Sequence, residues 1–393
     1  MSIKYVKYMP YHSIRNASRN RRELFAAIEY GYATSVFSVD KNCEEALLQN
    51  NIRVINDGTV KVSSSIPKLL RVFSILKNKA VVFHKTRELD ADVLSCHDIT
   101  ALLPAYVATR FKKNKPFLIY DSHEFEIGRN KKRNRVQIWW ITHLERFLIK
   151  RCVFSIMVND SIADEVQEIH NLHEKPVVIR STPEKWVISS DDVQHRRSEY
   201  EEALPGVRWF LMYHGLLAPG RGIEAIIDVA EGVPGAGVII LGNATSSSYY
   251  KTITEYVNEK GMNDRVYFHP AVPFSELKAY ISAADIGLIL SDAPTKSYYY
   301  GLPNKFFENI QAKTPVIVTA LPEMKKIVEK YGIGLVCPIG DIDKARELVF
   351  ELINDTKLYQ QFISNLEIAK NELCWEEEKG RLVDAWSKYI TCT

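Results

Sequence analysis

The sequence of 393 residues is 46% hydrophobic and 25% charged, which is ordinary for a folded globular protein and excludes a largely disordered or collagen-like chain. Because 51 basic residues are balanced by 48 acidic ones, the net charge is only +3, so any attraction to nucleic acid or another anion must be local. The length predicts two or three domains.

The six cysteines are scattered without a C-x-x-C pair, which favours reduced thiols in a cytosolic protein. The first residues lack the basic start and apolar core of a signal peptide. No apolar run approaches the roughly 18 residues of a membrane-spanning helix. The sequence therefore predicts a cytoplasmic protein that does not cross a membrane, although it could lie peripherally on the inner membrane face.

Short apolar runs alternate with helical patterns along the chain, as is typical of βα units and a parallel sheet. In the first half the predicted strands are Ala33–Val39, Ala80–His84, Val93–His97, Phe117–Tyr120, Ser155–Val158 and Val177–Ile179. In the second half they are Trp209–Tyr213, Val238–Leu241, Val266–Phe268, Ile286–Leu290, Val316–Val318 and Gly334–Val336. We therefore predict an α/β protein with two doubly wound, Rossmann-like domains that face a central cleft.

The pattern breaks at Ser181–Glu184 and again over the polar run Ser189–Glu202, and this places the predicted domain boundary. The first domain is predicted to span residues 1–185 and the second residues 186–372. The segment 373–393 is predicted as a helix that crosses back and packs on the first domain.

A glycine-rich loop follows the first predicted strand of the second half. It contains Gly215, Gly220 and Gly222, and a predicted helix begins near Ile223. Glycines let backbone amides approach an anion, and the helix N-terminus adds partial positive charge. Arg221 supplies a guanidinium suited to phosphate. A tight turn that carries an exposed arginine explains the same residues, so both interpretations remain open.

A second motif lies in the segment Gly301–Asn309. Pro303 suits the first turn of a helix, so the amides of Asn304 and Lys305 are expected to be free. Lys305 could neutralise a phosphate, and Glu308, one turn further, could accept hydrogen bonds from ribose hydroxyls. A surface Lys–Glu pair near a helix start is the alternative.

The segment Tyr120–Glu124 puts polar side chains at the end of a predicted strand, where functional sites gather. His123 could hold a proton or a hydrogen bond near neutral pH, although a lone histidine is more often an ordinary polar residue. Cys96–Asp98 ends another strand in the same way and ranks lower.

Two segments are strongly basic. Arg15–Arg22 has four arginines and no acid, which fits a phosphorylated substrate or a solvated helix start. Arg129–Arg151 has eight basic residues and one acid, interleaved with Trp139 and Trp140. A basic helix with tryptophans can lie on an anionic membrane surface, whereas an ordinary domain helix would turn its aromatic residues to the core.

A catalytic metal is not indicated by the sequence. The patterns Asp90–Asp92 and Asp341–Asp343 resemble Asp-x-Asp metal ligands, but the first flanks a strand, the second suits a helix cap, and neither has further ligands nearby. The Walker loop, the G-x-S-x-G motif and zinc spacings are missing, and the missing G-x-G-x-x-G fingerprint argues against NAD.

Taken in order, these motifs resemble the GT4-type retaining glycosyltransferases of the GT-B fold, in the group 1 family. The resemblance covers nearly the whole chain. The segments that carry it are Ala91–Asp98, Tyr120–Glu124, Gly215–Glu224, Ala284–Leu288, Pro303–Glu308 and the final helix from Trp375.

The resemblance implies a nucleoside diphosphate-sugar donor, UDP- or GDP-linked, held mainly by the second domain, with no cofactor and no metal. The implied donor-binding residues are Gly215, Arg221, Gly242, Pro303, Asn304, Lys305 and Glu308. The implied catalytic residues are His123 near the transferred sugar, with Arg221 and Lys305 at the diphosphate. The anomeric configuration would be retained.

The acceptor is expected to bind the first domain and to be a lipid-linked or surface glycan, with Arg15, Asn16, Arg19 and Glu124 as candidate contacts. An anionic membrane surface, met by Arg129–Arg151, is a further expected partner, and nucleic acid is not.

Two residues depart from the family pattern, Leu216 in place of an arginine and Tyr300 in place of a glutamate. Two alternatives stay open, the first because it shares the two-domain fold and the second because of these two departures. One is a sugar-nucleotide 2-epimerase, for which Glu124 and Glu126 are the only carboxylate pair near a strand end. The other is an inactive protein of the same fold that binds a nucleotide-sugar as a sensor or assembly partner.

Overall fold

The computed structural model describes residues 2–15, 17–41, 47, 49–60, 67–129 and 132–390. The chain divides into two compact units. Unit 1 contains the residues up to Arg180 together with those from Lys379 onward, and unit 2 contains Ser181–Glu378.

Unit 1 is built on a parallel sheet with the strand order β3-β2-β1-β4-β5-β6-β7. The strands are β1 (Lys4–Tyr8), β2 (Ala33–Ser38), β3 (Arg53–Asn56), β4 (Val93–His97), β5 (Phe117–Asp121), β6 (Phe154–Met157) and β7 (Val177–Val178). The helices are α1 (Ser18–Glu29), α2 (Lys68–Glu88), α3 (Asp98–Thr109), α4 (Arg135–Ile149) and α5 (Asp160–His170). The order reverses between β1 and β4, so the carboxyl ends of these strands form a topological switch point, where ligands bind in such folds.

Unit 2 repeats the plan with the strand order β10-β9-β8-β11-β12-β13. Its strands are β8 (Trp209–His214), β9 (Ala236–Leu241), β10 (Val266–His269), β11 (Ile286–Ile289), β12 (Val316–Thr319) and β13 (Gly334–Cys337). Its helices are α6 (Ser190–Ala203), α7 (Ile223–Glu231), α8 (Ser247–Glu259), α9 (Phe274–Ser282), α10 (Lys296–Tyr299), α11 (Asn304–Ala312), α12 (Pro322–Tyr331), α13 (Ile342–Asn354) and α14 (Thr356–Glu372). The switch point lies between β8 and β11.

The last helix, α15 (Trp375–Tyr389), contributes its residues from Lys379 onward to unit 1. There Trp386 is fully buried, with its ring centroid 5.4 Å from those of Tyr5 and Tyr32 and 5.7 Å from that of Tyr30. This aromatic cluster anchors the end of the helix on β1 and the start of β2.

One predicted strand is wrong, since Ala80–His84 lies inside α2. Its β-branched residues suggest a strand, but the burial has a helical period: Val82 and Thr86 are buried, whereas Ala80 and His84 are exposed. The polar run Ser189–Glu202, expected to interrupt the pattern, forms α6, and β1 and β3 were not predicted.

The start of α4 is set by local hydrogen bonds. The Oδ1 of Asn134 accepts from the backbone N–H of Gln137 at 2.9 Å, and the Oε1 of Gln137 accepts from the backbone N–H of Asn134 at 3.1 Å. This reciprocal capping box fixes the helix to begin at Arg135.

None of the helices within the described residues is long and apolar enough to span a bilayer. The cysteines described by the structure, namely Cys96, Cys152, Cys337 and Cys374, are free thiols.

Candidate active site

The glycine loop of unit 2 brings three chain segments into close contact. Gly215 and Gly222 have φ of +114° and +78°, and Gly222 directly precedes α7. A Cβ on Gly222 would lie 1.6 Å from the carbonyl oxygen of Leu290, and one on Gly242 would lie 1.9 Å from the carbonyl oxygen of Gly215. Glycine is therefore required where the segments after β8, β9 and β11 meet.

Two helices begin at this edge of the sheet without a side-chain cap. Gly222 precedes α7 and Pro303 precedes α11, and neither residue caps its helix with a side-chain hydrogen bond. The N–H groups of a helix start carry partial positive charge and are available to an anion. The expected free amides at Asn304 and Lys305 are present in the first turn of α11.

Two cations stand beside these helix starts. The Nζ of Lys305 lies 4.0 Å from the ring centroid of Tyr213, and the guanidinium carbon of Arg221 lies 5.9 Å from the ring centroid of Tyr298. Within the part of the chain that the structure describes, neither cation forms an ion pair with a carboxylate. The site therefore has two basic side chains that lack an ion-pair partner.

The environment of Lys305 disfavours its charge. Burial and the nearby charge of Arg221 lower the pKa of Lys305 from its ordinary value of 10.5 to about 7, and the carboxylate of Glu308 opposes this only in part. A bound anion would supply the missing counterion and favour the charged form of Lys305.

The carboxylate of Glu308 is held in a fixed position. The Nε2 of His214 lies 2.9 Å from one oxygen of Glu308, and both side chains are largely buried. This contact leaves the second oxygen of Glu308 able to accept from a ligand hydroxyl. His214 is not among the site residues predicted from the sequence, where its only signal is its place at the end of a strand, directly before Gly215.

Leu216 and Tyr300, which the resemblance marks as departures, lie next to the two motif segments along the chain. Leu216 is 47% exposed, and its carbonyl oxygen accepts a hydrogen bond from the hydroxyl of Tyr213 at 2.8 Å. Tyr300 follows α10, with its ring centroid 5.5 Å from that of Tyr299. The glycine loop thus has its geometry with a leucine at position 216 and a tyrosine at position 300.

In unit 1, the imidazole of His123 is fixed just beyond β5. Its Nε2 lies 3.0 Å from the Oδ2 of Asp121, and its backbone N–H donates to the Oδ1 of Asp98 at 3.0 Å. The ring centroid of His97 is 4.3 Å away, and burial together with His123 lowers the pKa of His97 to about 3. His97 is therefore neutral near pH 7.

Asp121 is the centre of a buried ionic cluster that has no local signal in the sequence. Its Oδ2 lies 2.5 Å from the Nζ of Lys7, and its Oδ1 lies 2.7 Å from an Nη of Arg19. Lys7 also pairs with Glu23 at 2.5 Å. Burial alone would raise the pKa of Asp121, but the charges of Arg19 and Lys7 hold it well below its usual range.

One group of side chains in unit 1 has the spacing of a metal site. Ligand atoms of His97, Asp121 and His123 lie within 4.8 Å of one another. Both oxygens of Asp121 already contact cations, however, so a divalent ion would be repelled by Lys7 and Arg19. The donor set does not fit a metal.

Both Asp-x-Asp patterns have structural contacts. Asp90 pairs with the ammonium group of Lys4, and Asp92 accepts from the backbone N–H of Lys4 at 2.8 Å. Asp341 caps α13 by accepting from the backbone N–H of Lys344 at 2.9 Å, as the sequence predicts.

The candidate acceptor residues have different surroundings. Arg15 is exposed and lies 3.8 Å from a carboxylate oxygen of Asp40, whereas Arg19 is buried against Asp121. Glu124 is exposed and pairs with Arg129 at 2.8 Å. Asn16 lies outside the described residues. Of these, Arg19 is connected to His123, through Asp121.

Two Rossmann-like α/β units with these strand orders define the GT-B fold of glycosyltransferases, as predicted. The chain is similar in structure to Alr3699/HepE from Anabaena, solved with UDP, at a TM-score of 0.77 and 16% identity over 98% of this chain and 100% of that one. It is also similar to the sucrose-phosphate synthase of Thermosynechococcus elongatus, at a TM-score of 0.76 and 14% identity over 99% of each chain.

A third similar structure is WaaG, a glycosyltransferase involved in lipopolysaccharide biosynthesis, at a TM-score of 0.67 and 13% identity over 97% of this chain and 98% of that one. At these identities the likeness is one of fold. Residues 196–368 match the family of glycosyl transferases group 1, and this segment holds the glycine loop, Arg221, Lys305 and Glu308. The sequence has no match among curated proteins.

Proposed function

We propose that the protein is a retaining, metal-independent glycosyltransferase that moves a sugar from a nucleoside diphosphate-sugar to a lipid-linked or surface-glycan acceptor. The observation that carries the proposal is the pair Arg221 and Lys305, which have no carboxylate partner among the described residues and stand at two uncapped helix starts. A diphosphate is the counterion that such a site lacks. The match of residues 196–368 to glycosyl transferases group 1 supports the proposal.

Each donor-site residue has a role in this proposal. Gly215 and Gly242 let the backbone approach the diphosphate. Arg221, Lys305 and the amides that begin α11 stabilise the charge that develops on the leaving diphosphate, which is the task a metal ion performs elsewhere. Glu308, oriented by His214, accepts hydrogen bonds from the ribose.

On unit 1, we place the acceptor and the transferred sugar near His123, whose imidazole is held by Asp121. Attack would occur on the face of the sugar that the diphosphate leaves, and the leaving phosphate would take the proton of the acceptor hydroxyl. This route retains the anomeric configuration without a protein nucleophile.

UDP-sugars are the first donors to test, because the similar Anabaena protein was solved with UDP and with UDP-glucose. A surface-glycan acceptor is supported by the role given for WaaG in lipopolysaccharide biosynthesis. We further propose a cytoplasmic location with peripheral binding to an anionic membrane through Arg129–Arg151.

Incubation of the protein with a panel of UDP- and GDP-sugars tests the proposal. Slow release of the nucleoside diphosphate is expected for one donor, and addition of glycan acceptors should accelerate it. Interconversion of the sugar without release of the nucleotide would instead identify an epimerase. Tight binding without turnover, with every acceptor tested, would identify an inactive nucleotide-sugar-binding protein.

A further inference from the structure

Helix α2 exposes an unusual amount of apolar surface near its start. Leu70, Val72, Phe73, Ile75 and Leu76 are between 40% and 62% exposed. A helix that packs on a domain normally turns its apolar stripe inward and its polar residues to water. Five large apolar side chains in seven residues, exposed together, indicate that this part of α2 is covered by something outside the unit.

The two neighbouring helices also expose apolar residues, and the three helices are adjacent, since α2 packs against α3 and α3 packs against α4. On and just beyond α3, the exposed apolar residues recur every four positions, and on α4 they include two adjacent tryptophans. They are Leu103, Val107, Phe111, Val136, Trp139, Trp140 and Phe147. We call these residues, together with the five on α2, the three-helix surface.

The charge of the three-helix surface is strongly positive. Helix α2 has six lysines and arginines and a single acid, Glu88. Helix α4 has one acid, Glu145, which is buried. Basic groups also lie directly on the exposed rings: the guanidinium carbon of Arg151 is 3.5 Å from the ring centroid of Phe147, and that of Arg110 is 5.8 Å from that of Phe111. Interleaved basic and aromatic side chains are the pattern that binds anionic lipid.

We propose that the three-helix surface lies on the anionic leaflet of a lipid bilayer, with the start of α2 and the tryptophans of α4 at the boundary between headgroups and acyl chains. A second copy of the chain is a poorer occupant, because two copies of one basic surface repel each other. A bilayer supplies negative charge and accepts a broad apolar surface without needing a complementary shape.

This inference deepens only the membrane part of the proposed function, and it replaces the single basic segment Arg129–Arg151 with a surface of three helices. Donor binding by unit 2 does not depend on it. The two can therefore fail separately.

Sedimentation with lipid vesicles tests the inference. The protein is expected to bind vesicles of phosphatidylcholine mixed with phosphatidylglycerol and to bind phosphatidylcholine alone far more weakly. The double substitution Phe73→Glu and Leu76→Glu, and separately Trp139→Glu and Trp140→Glu, should each reduce partitioning by at least about tenfold. Neutralising Arg135 and Lys150 to glutamine should reduce it by about fivefold per charge at low salt.

The matched control is Phe350→Glu with Ile368→Glu, because these two residues are 56% and 60% exposed on helices of unit 2. This control should bind vesicles like the wild type, and all variants should keep the wild-type thermal unfolding and nucleotide-sugar hydrolysis. Equal binding of the wild type to both kinds of vesicle would overturn the inference. It would also be overturned if the α2 and α4 variants lost no more vesicle binding than the control variant. A concentration-dependent dimer that the α2 and α4 variants dissolve would overturn it as well. Vesicle binding without sugar-nucleotide turnover would contradict the proposed function alone.

Discussion

Both units place cations at the carboxyl ends of parallel strands, but the two sets of charges are arranged in opposite ways. In unit 1, Lys7 and Arg19 are buried and are neutralised by Asp121 and Glu23. In unit 2, Arg221 and Lys305 have no carboxylate partner among the described residues.

The difference separates a supporting cluster from a binding cluster. A balanced, buried cluster keeps its geometry without a ligand, and in unit 1 it orients His123. An unbalanced cluster of basic groups is electrostatically unfavourable while no anion is bound, as the lowered pKa of Lys305 shows. Strongly perturbed charges of this kind are typical of functional sites. We expect the two clusters to respond differently to substitution, the first in stability and the second in affinity.

The largest expected effect comes from unbalancing the cluster of unit 1. Asp121→Asn leaves Lys7 and Arg19 buried without their shared counterion, which should lower the free energy of unfolding by about 3–5 kcal/mol in chemical denaturation. The matched control is Asp164→Asn, since Asp164 is exposed and pairs with Lys175 at 2.6 Å. The control should cost less than about 1 kcal/mol. Equal costs for both variants would contradict the assignment of Asp121 as a structural counterion.

The corresponding change in unit 2 should act on binding. Arg221→Ala is expected to weaken the binding of UDP by about ten- to a hundredfold, because a hydrogen bond to a charged group contributes about 1.5–3 kcal/mol. Arg208 lies directly before the N-terminal end of β8, whereas the glycine loop follows its C-terminal end. Its guanidinium lies over the ring of Trp209, so Arg208→Ala serves as the control. Calorimetry with both variants makes the comparison, and equal affinities would place the donor elsewhere.

A smaller effect is expected from His214, which contacts the donor only through Glu308. His214→Phe removes one hydrogen bond and should weaken UDP binding by at most about tenfold. The double variant His214→Phe with Glu308→Gln should bind UDP no worse than Glu308→Gln alone. Once the carboxylate of Glu308 is replaced, His214 has no carboxylate left to orient. If the losses of UDP-binding free energy from the two single substitutions simply added in the double variant, His214 would not act through Glu308.

The sequence predicted the strands of unit 2 more successfully than those of unit 1. Each of the six predicted strands of unit 2 is present. The four central strands β9, β8, β11 and β12 are short apolar runs that are buried on both faces of the parallel sheet, which makes them recognisable in the sequence. In unit 1, lysines at positions 4 and 7 interrupt the apolar residues of β1, so the segment lacks the apolar run that predicts a buried strand. The partner that lets Lys7 be buried, Asp121, lies 114 residues away and cannot be seen locally.

The same reason limits what the sequence reveals of the site. Arg221, Lys305 and Glu308 are recognisable because each belongs to a local motif with a characteristic spacing. The contact between His214 and Glu308 spans 94 residues, and the burial of Arg19 depends on a carboxylate 102 residues away. Only the folded chain shows that Arg19 belongs to the balanced cluster and is not exposed like Arg15.

The pH dependence of donor binding should sharpen the same contrast. In the free protein Lys305 has a pKa of about 7, and a bound diphosphate should raise it, so binding takes up a proton when the pH is near or above 7. The affinity must then fall as the pH rises, by about fivefold between pH 7 and 8 if binding raises the pKa by about two units. UDP-glucose is the suitable ligand, because its diphosphate does not titrate in this range.

Lys305→Arg tests the assignment, because a guanidinium remains charged throughout this range and should make the affinity nearly independent of pH. Calorimetry of the wild type in two buffers with different heats of ionisation should also detect the proton uptake, which the variant should lose. An affinity that stays constant or increases from pH 7 to 8 in the wild type would mean that Lys305 does not neutralise the diphosphate. The positive charge of the donor site would then rest on Arg221 and the two helix starts, which do not titrate near neutral pH.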